Sequence, residues 1–507
     1  MAQAVANSDN VVDVLIVGAG LSGIGAAAHL TMQCPDKSYA IIEQRADMGG
    51  TWDLFRYPGI RSDSDMHTLG YRFKPWLHEK AIADGPAIHE YVHETAAEYG
   101  ITPNIHFRHR VLSADWSNSD ARWTVAAKRE EDGSFVTFSA NFLFMCAGYY
   151  NYDEGYKPEF LDEAAFKGQI IHPQHWPDDF EHAGKRIVVI GSGATAVTIV
   201  PVMSETATKV TMLQRSPTYM VSRPARDRLA NNLRKILPEK LAYAITRWRN
   251  INWQRFVYSR ARKNPVKIGQ KLLNMARKEL PATVDFEKHF VPTYGPWEQR
   301  LCLVPDSDMF KAISGGKAEI VTDHIDRFTE NGILLQSGKE LEADVIITAT
   351  GLNLVTMGNA SLSVEGQPVN LGDHVNYKGV MFNDVPNLAS IFGYVNASWT
   401  LKTDIVADYV CRLLKAMDAK GAKIANPHLD DPDMPRLPFV NDFSSGYFAR
   451  SLDKLPKNGD HHPWRVLQDY AAEKRILTQE PVDDGVLLFS GPCAVAAFRY
   501  EELIAAE

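Results

Sequence analysis

The 507-residue sequence predicts an α/β fold of two Rossmann-like domains, one inserted in the other, with a helical insertion in the second. Two glycine-rich loops predict these domains, because each lies between an apolar strand and a stretch of small residues. A basic segment predicts the helical insertion. Residues 223–280 contain 16 Lys or Arg and 3 Asp or Glu, a local charge of +13 in a chain of net charge −8. Such a contrast is typical of an inserted segment with its own surface.

The first loop is typical of a site for a dinucleotide with a free ribose. It follows the apolar residues 14–17. Its glycines are Gly18, Gly20 and Gly23. Glycines at this spacing let backbone N–H groups at a helix N-terminus approach a pyrophosphate. The next apolar run, residues 39–42, leads to Glu43, whose carboxylate can accept a hydrogen bond from a ribose hydroxyl. The loop therefore predicts a site for FAD or NAD.

The strand after the second glycine-rich loop is followed by a positive residue, where the first has the negative Glu43. It follows the apolar residues 187–190. Its small residues are Gly191, Gly193 and Ala196. The next apolar run, residues 210–213, is followed by Arg215 and Ser216 within the next three positions, with no carboxylate. An arginine suits the 2′-phosphate of NADP by its charge and by the fork of its donors. This loop therefore predicts an NADP site.

Other apolar runs predict how the chain passes between the domains. Strands at 142–148 and 344–351 each end in a glycine turn and mark a crossing from one domain to the other. In the basic segment, apolar residues recur every three or four positions and predict two helices separated by Pro238. A further helix is predicted from Trp399. The predicted boundaries are 1–150 and 344–507 for the first domain with the C-terminal segment, 151–222 and 291–343 for the second domain, and 223–290 for the helical insertion.

Composition argues against several other classes of protein. The sequence contains no run of 18 apolar residues and no signal-like segment before the first strand, so we expect a cytoplasmic protein. Its five cysteines form no CxxC pair, which argues against a disulfide framework, a dithiol flavin reductase and a structural zinc site. We expect no metal site and no nucleic-acid partner.

Two longer motifs resemble those of flavin-dependent Baeyer–Villiger monooxygenases. The first comprises Gly49, Gly50, Trp52, Tyr57, Pro58, Gly59 and Asp63. The second, just before the second loop, comprises Phe166, Gly168, His172, Trp176 and Pro177. Both have the family's spacing and fall in its order around the two loops, and the resemblance extends from about residue 12 to about residue 480. Within the family, the sequence is most similar to the ethionamide-activating branch.

The resemblance implies a function and two candidate catalytic residues. It implies FAD, NADPH and O2, and conversion of ketones to esters or lactones through a C4a-peroxyflavin, with oxidation of thioethers as a side activity. Arg300 matches the family's active-site cation, and Asp63 matches the carboxylate that positions it. Two alternatives stay open: a related flavin monooxygenase that oxidises N or S, and an NADPH-binding sensor without turnover. The presence of Arg300 and Asp63 favours a Baeyer–Villiger monooxygenase over these two alternatives.

The resemblance also assigns residues to the cofactors. The FAD surroundings would include Gly50, Thr51, Trp52, Tyr57 and Asp63. Ser398 and Trp399 would place a helix N-terminus beside the flavin pyrimidine. Gln299 stands where the family often has a lysine for the 2′-phosphate, so Arg215 would bear more of that discrimination. We assign a structural rather than a catalytic role to His172.

The basic segment allows two interpretations. Its aromatic side chains are Trp248, Trp253, Phe256 and Tyr258, and the neighbouring cations are Arg247, Arg249, Arg255, Arg260, Arg262 and Lys263. This combination suits peripheral contact with an anionic membrane. Alternatively, the apolar side of the helices packs on the NADP domain and the charge attracts NADPH. We favour this second interpretation, because amphipathic helices of soluble proteins usually bury their apolar side.

Overall fold

The computed structural model describes residues 10–299, 301–440 and 443–492. The strands are β1 (Val11–Val17), β2 (Tyr39–Ile42), β3 (Ile105–His106), β4 (His109–Ser117), β5 (Arg122–Arg129), β6 (Phe135–Met145), β7 (Tyr150–Gly155), β8 (Gln169–Ile171), β9 (Arg186–Ile190), β10 (Lys209–Gln214), β11 (Met220–Arg223), β12 (Cys302–Pro305), β13 (Ala318–Thr322), β14 (Ile325–Thr329), β15 (Gly332–Leu335), β16 (Glu340–Glu342), β17 (Val345–Thr348), β18 (Leu352–Leu354), β19 (Ser361–Val364), β20 (Gln367–Val369), β21 (Asn376–Tyr377), β22 (Met381–Phe382), β23 (Leu388–Ser390), β24 (Ile424–Pro427) and β25 (Leu487–Ser490). The α-helices are α1 (Leu21–Gln33), α2 (Thr51–Leu54), α3 (Met66–Leu69), α4 (Gly85–Glu98), α5 (Ala194–Met203), α6 (Arg228–Ile236), α7 (Glu239–Lys263), α8 (Pro265–Arg277), α9 (Phe286–Phe290), α10 (Asp308–Ser314), α11 (Trp399–Lys420), α12 (Gly446–Ala449) and α13 (Tyr470–Gln479).

The first sheet has nine strands and is assembled from two distant parts of the chain. Strands β3, β2, β1 and β6 run parallel, and β5 and β4 extend the sheet antiparallel from β6. Strands β19 and β20 continue the sheet beyond β4, and β23 pairs with the end of β6. Helices α1 and α11 pack against each other. The apolar residues of β1 from Val14 to Val17 are buried, as expected of a strand covered on both faces.

The second sheet is built from the chain between these two parts. Its five strands are parallel, in the order β13-β10-β9-β17-β8, and helices α5 and α10 pack beside it. The three antiparallel strands β14, β15 and β16 lie between β13 and β17 in the chain. The predicted fold class is therefore confirmed: two α/β units with parallel strands, the second inserted in the first. The exact domain boundaries stay predictions.

The two connections between the sheets lie side by side. Strand β6 of the first sheet is followed by β7, and strand β17 of the second sheet is followed by β18. Strands β7 and β18 pair antiparallel, with Leu352 opposite Gly155 and Leu354 opposite Tyr150. The chain therefore leaves the first sheet and returns to it through one shared two-stranded ribbon.

The helical insertion differs from the favoured interpretation in one respect. Helices α6 and α7 are separated at Pro238, as predicted, but most of their large apolar residues are exposed, and Tyr243 is the exception that is buried in the core of the first unit. Leu241 is 48% exposed and Trp248 is 68% exposed, whereas the small residues Ala242 and Thr246 of α7 are buried. The interpretation in which the apolar side packs on the NADP domain is therefore wrong for α6 and α7. It holds for α8, where Ala276 is buried in the core of the second unit and Leu273 packs against that core, as does Leu280 just after the helix. Helical periodicity identifies residues that share a face, but it does not identify which face is turned inward.

One cation of the insertion anchors it to the first unit. The Arg247 guanidinium is buried; it donates to the Asp404 carboxylate at 3.0 Å and to the Gly70 carbonyl at 2.7 Å. Asp404 also lies 3.2 Å from the ring of His29, whose other nitrogen is 3.2 Å from Asp408. The prediction that Arg247 is a surface cation is therefore wrong. Arg247 belongs to a buried ionic network that joins α7, α1 and α11.

Two expectations from composition concern the chain as a whole. Within the described ranges, none of the helices combines the length and the apolar content that crossing a bilayer requires. The cysteines of the described part are buried and free, and they are Cys34, Cys146, Cys302 and Cys411. Cys493 lies outside the described residues.

Candidate active site

Both glycine-rich loops open onto one cleft of about 850 Å³. The cleft lies at the carboxyl ends of parallel strands from both sheets, because its walls include the last residues of β1, β2 and β9. This is the place where open α/β sheets bind their ligands. The predicted site residues that line it are Gly18, Gly20, Glu43, Gly50, Thr51, Trp52, Tyr57, Asp63, Gly191, Gly193, Arg215, Ser216, Gln299, Ser398 and Trp399.

The first loop leaves a helix N-terminus open to the cleft. Gly18 has φ +101°, and a Cβ there would lie 2.8 Å from the Cys146 carbonyl oxygen, so only glycine fits without strain. Gly20 is the N-cap of α1, and no side chain among the described residues caps this helix. Gly23 does not line the cleft; its α-carbon lies against the Gly18 carbonyl, where any side chain would collide. The free N–H groups of α1 can therefore bind an anion.

Glu43 is fixed at the edge of this loop by backbone donors. One oxygen of its carboxylate accepts from the Ala19 N–H at 2.7 Å, and the other accepts from the Arg45 N–H at 2.9 Å. Burial raises the pKa of Glu43, and these two hydrogen bonds act in the opposite direction. Each carboxylate oxygen keeps a further acceptor position. Glu43 can therefore accept a hydrogen bond from a ribose in the cleft.

The second loop repeats this arrangement in the second sheet. Gly193 is the N-cap of α5, and the described residues again provide no capping side chain. A Cβ at Gly193 would meet nothing within 4 Å, so the backbone faces open space in the cleft. Ala196 does not line the cleft and is completely buried beneath the loop, where its small side chain allows close packing. The second helix N-terminus is therefore also available to a phosphate.

Charge distinguishes the two loops. Arg215 follows β10, is exposed in the cleft, and has Ser216 beside it. The Ser192 hydroxyl of the loop donates to the Ser216 carbonyl at 3.0 Å, which holds these two segments together. Gln299 lines the same cleft. The first loop thus presents the carboxylate of Glu43 and the second presents a guanidinium, as the sequence predicts.

The segment from Gly49 to Asp63 bridges the two loops. The Gly49 N–H donates to the Ala19 carbonyl at 3.0 Å, which brings the segment against the first loop. The Tyr57 hydroxyl is hydrogen-bonded to Thr195 of α5, and burial raises the pKa of Tyr57 to about 12. Asp63 is exposed at the cleft wall. This segment therefore couples the position of the first loop to that of the second.

Helix α11 points its N-terminus into the same cleft. Its N-cap, Ser398, is hydrogen-bonded through its hydroxyl to Thr68 at 2.7 Å. The indole N–H of Trp399 donates to the Ser22 hydroxyl at 2.7 Å, close to the first loop. The two predicted residues are thus held at the cleft by side-chain hydrogen bonds to the first unit.

Two further residues that the sequence analysis singled out have different outcomes. Arg300 lies outside the described residues, so its role stays a prediction. His172 does not line the cleft; its ring accepts from the Gln174 N–H at 3.2 Å and packs against Gly155 of the shared ribbon. Burial lowers the pKa of His172. These contacts agree with the structural role that we assigned to it.

Sequence reasoning missed three tyrosines in the wall of the cleft. Tyr149, Tyr150 and Tyr152 all line it, at the start of the ribbon that connects the sheets. Burial raises the pKa of Tyr152 well above its ordinary value, so this hydroxyl stays protonated. The signal was present as an aromatic run directly after a glycine turn at the end of a buried strand.

Comparison with known proteins identifies the family. The flavin-binding monooxygenase-like family matches residues 78–418, and an NAD(P)-binding Rossmann-like domain matches residues 16–78. The chain is 53% identical over 479 residues to the FAD-containing monooxygenase EthA of Mycobacterium tuberculosis, covering 94% of this chain and 97% of the relative. It is 49% identical over 483 residues to the probable FAD-binding monooxygenase AlmA of Acinetobacter baylyi, covering 94% and 96%.

Solved structures support the same fold. An oxidised steroid monooxygenase bound to NADP superimposes with a TM-score of 0.76 at 22% identity, covering 95% of this chain and 100% of the other. An open form of cyclohexanone monooxygenase superimposes with a TM-score of 0.69 at 19% identity, covering 84% and 90%. The predicted resemblance is thereby confirmed at the level of the family. This chain belongs to the flavin-binding monooxygenase-like family and is a flavin-dependent monooxygenase.

Proposed function

We propose that this protein is an FAD-containing Baeyer–Villiger monooxygenase that uses NADPH and O2 to convert ketones to esters or lactones. The observation that carries the proposal is the single cleft that receives two uncapped helix N-termini, one beside Glu43 and the other beside Arg215. Two dinucleotides with different ribose ends can therefore meet in one site. In the overall reaction, ketone, O2, NADPH and a proton give ester, water and NADP⁺.

The chain's own residues fit both cofactors. The first helix N-terminus and the Glu43 carboxylate would hold the pyrophosphate and a ribose of FAD. The second helix N-terminus, with Arg215, would hold the phosphates of NADPH. FAD supplies the redox chemistry and the activation of O2 when it is bound. The protein orients the two rings, excludes water and stabilises the charge that develops on the substrate.

The charge on the substrate distinguishes this proposal from oxidation at N or S. Addition to a ketone carbonyl places a negative charge on its oxygen, and a fixed cation stabilises that charge. We assign this role to Arg300, with Asp63 as its positioning carboxylate, on the family resemblance and on the place of Asp63 at the cleft wall. Oxidation of a thioether creates no such oxyanion, so an enzyme specialised for N or S does not need this cation.

The test compares products from wild-type enzyme and an Arg300→Ala variant. Wild-type enzyme should form esters from a panel of linear, cyclic and aryl ketones, with NADPH consumption dependent on the ketone. Arg300→Ala should lose about 10²–10³ or more in the rate of ester formation and keep its flavin bound and reducible. Arg327→Ala serves as the control, because Arg327 is an exposed arginine that pairs with Asp326 and does not line the cleft. Unchanged ester formation in Arg300→Ala would overturn the assignment, and oxidation of a thioether but of no ketone would favour the N- or S-oxidising alternative.

We also propose that the protein is cytoplasmic and binds peripherally to anionic membranes through the insertion face, which we define as Leu229, Ile236, Leu241, Ile245, Trp248, Trp253 and Phe256. These apolar side chains are 39–76% exposed. Exposed cations lie on the same two helices, among them Lys235, Lys240 and Lys263. An apolar face with Trp and Phe inside a basic rim is the combination that binds the interface of an anionic bilayer. An apolar ketone dissolved in the bilayer would then be close to the enzyme.

Vesicle sedimentation tests this surface. The protein should sediment with phosphatidylglycerol vesicles, sediment less with phosphatidylcholine vesicles, and be released by salt as the charges are screened. Trp248→Ser combined with Trp253→Ser should abolish binding, whereas Phe135→Ser, which removes an aromatic residue that is 71% exposed in the first sheet, should not. Formation of a dimer that is lost in the double variant, without vesicle binding by the wild type, would contradict the proposal and assign the face to a second copy.

A further inference from the structure

Helix α4 presents two histidines to a carboxylate at a place that is separate from the cleft. His89 and His93 lie one turn apart, and their ring centroids are 4.6 Å apart. The Nε2 atom of His93 is 3.0 Å from one oxygen of Asp47, and the Nε2 atom of His89 is 3.5 Å from the other. One potential ligand atom from each of these three residues lies within 4.8 Å of the other two.

The Nε2 atoms of the two histidines face Asp47 at ion-pair distance, but among the described residues neither makes a hydrogen bond of good geometry. Both Nε2 atoms are buried. A buried imidazole nitrogen without a hydrogen bond is costly. A cation that accepts both lone pairs and one carboxylate oxygen would remove that cost.

Contrary to the expectation from the sequence that there is no metal site, we propose that Asp47, His89 and His93 bind one Zn²⁺ ion. Histidines four positions apart on a helix present their rings on one face, which is a common way to hold zinc. Zinc lies about 2.0–2.1 Å from each ligand in a tetrahedron, so neighbouring ligand atoms are roughly 3.3 Å apart. Each histidine Nε2 lies at about that distance from an oxygen of Asp47, His93 at 3.0 Å from one oxygen and His89 at 3.5 Å from the other. One ligand atom from each residue lies within 4.8 Å of the other two, so a small movement of the side chains would close the site around the ion. Two imidazoles and one carboxylate suit zinc better than Mg²⁺ or Ca²⁺, which prefer oxygen ligands only.

The surroundings indicate a structural ion rather than a hydrolytic one. Asp53 lies 3.8 Å from His89 Nε2, but it already pairs with Arg45 and Arg56, so water would fill the fourth position. Glu90, the carboxylate next to His89 that could act as a general base, is exposed. In the described part of the chain, the three proposed ligands lie outside the lining of the cleft that would hold a substrate.

The position of the ion gives it a consequence for the flavin site. Asp47 lies two residues before Gly49, whose N–H is hydrogen-bonded to Ala19 in the first loop. The His89 ring packs on Gly49, where a Cβ would lie 2.6 Å from its Cδ2 atom. Zinc would thus tie helix α4 to the segment that supports the first loop. This second step rests on the proposed binding of FAD there: zinc should slow the release of FAD.

Zinc binding is measured on the full chain loaded with FAD. After treatment with EDTA and dialysis, titration with ZnCl₂ by calorimetry and metal analysis should give one Zn²⁺ per chain. His93→Ala and Asp47→Asn should each weaken binding by roughly 100-fold or more, because a lost ligand costs more than a lost neighbour of a ligand. His461→Ala is the matched control, since His461 is an exposed histidine 2.6 Å from the carboxylate of Asp460. Excess Mg²⁺ should not compete.

The possible results test zinc binding and its effect on FAD release separately. Absence of zinc binding by the wild type, or equal binding by His93→Ala and the wild type, would overturn the site. His93→Gln, with circular dichroism and flavin absorbance as checks of folding, provides a second variant if His93→Ala does not fold. Zinc should lower the rate of FAD release in the wild type and not in the variants. Stoichiometric zinc binding with unchanged FAD release would leave the site standing and overturn its link to the flavin loop. Neither result depends on which substrate the enzyme oxidises.

Discussion

The ionic network that joins α1, α7 and α11 should make the protein less stable at alkaline pH. His29 is 1% exposed and lies between Asp404 and Asp408. Burial by itself would lower its pKa, but the hydrogen bonds to the two carboxylates outweigh burial and raise the pKa from 6.5 to about 8. A group with a higher pKa in the folded chain stabilises the fold fully below its unfolded pKa, here 6.5, and this contribution is lost as the pH rises through about 8. The rise in the pKa of His29 from 6.5 to about 8 corresponds to roughly 2 kcal/mol in the free energy of unfolding.

The assay is urea unfolding at pH 6 and pH 9, followed by circular dichroism and by tryptophan fluorescence so that a single transition can be verified. Between the two pH values, the free energy of unfolding should fall by about 2 kcal/mol more in the wild type than in His29→Gln, which cannot bind the proton. His461→Gln, at an exposed position, should behave like the wild type. The same pH dependence in the wild type and His29→Gln would refute the reasoning, as would greater stability of the wild type at pH 9.

Three further predictions follow from single contacts. Arg215→Ala should remove a charge-assisted contact worth about 1.5–3 kcal/mol, so the preference for NADPH over NADH should fall roughly 10- to 150-fold in steady-state kinetics; equal losses for both coenzymes would contradict this. Gly18→Ala places a Cβ 2.8 Å from the Cys146 carbonyl at a positive φ, so FAD should bind at least about 10-fold more weakly, as measured by flavin retained on ultrafiltration. Arg247→Met leaves the Asp404 carboxylate buried without its arginine, and should lower the free energy of unfolding by about 3–5 kcal/mol in urea titrations.

The sequence was most informative where the signal is local. Each loop could be predicted because a strand, a glycine turn and a helix N-terminus follow one another within about thirty residues. The charge that each loop presents to its ribose could be predicted in the same way, since Glu43 and Arg215 each come directly after the next strand along the chain. The same reasoning placed the start of α11 at Trp399, because its N-terminal signal lies in the preceding three residues.

Two kinds of information could not be predicted: which distant segments of the chain contact each other, and which side of a helix is buried. Ser361 pairs with Ser113 across the sheet, and Asp404 meets His29, with no periodicity in either segment to indicate the partner. The insertion shows the limit of periodicity, because the spacing of Leu241 and Trp248 is the same whether their side of the helix is buried or exposed. His89 and His93 were overlooked for a different reason: their spacing was visible, but the carboxylate opposite them comes from another part of the chain.

The nested arrangement of the two sheets imposes an order on the synthesis of this protein. All strands of the second sheet have been translated by Thr348, whereas the first sheet waits for β23, which ends at Ser390. At about 5–20 residues per second, this is a delay of roughly 2–8 s. The unit that begins the chain is therefore the last to have all of its strands, and the half-sheet from β1 to β6 waits through the synthesis of the whole second unit. Until β19 arrives, strand β4 has an open edge that another nascent chain can pair with. For this enzyme, slow elongation between residues 145 and 364 lengthens the time for which that edge is exposed to aggregation on the ribosome.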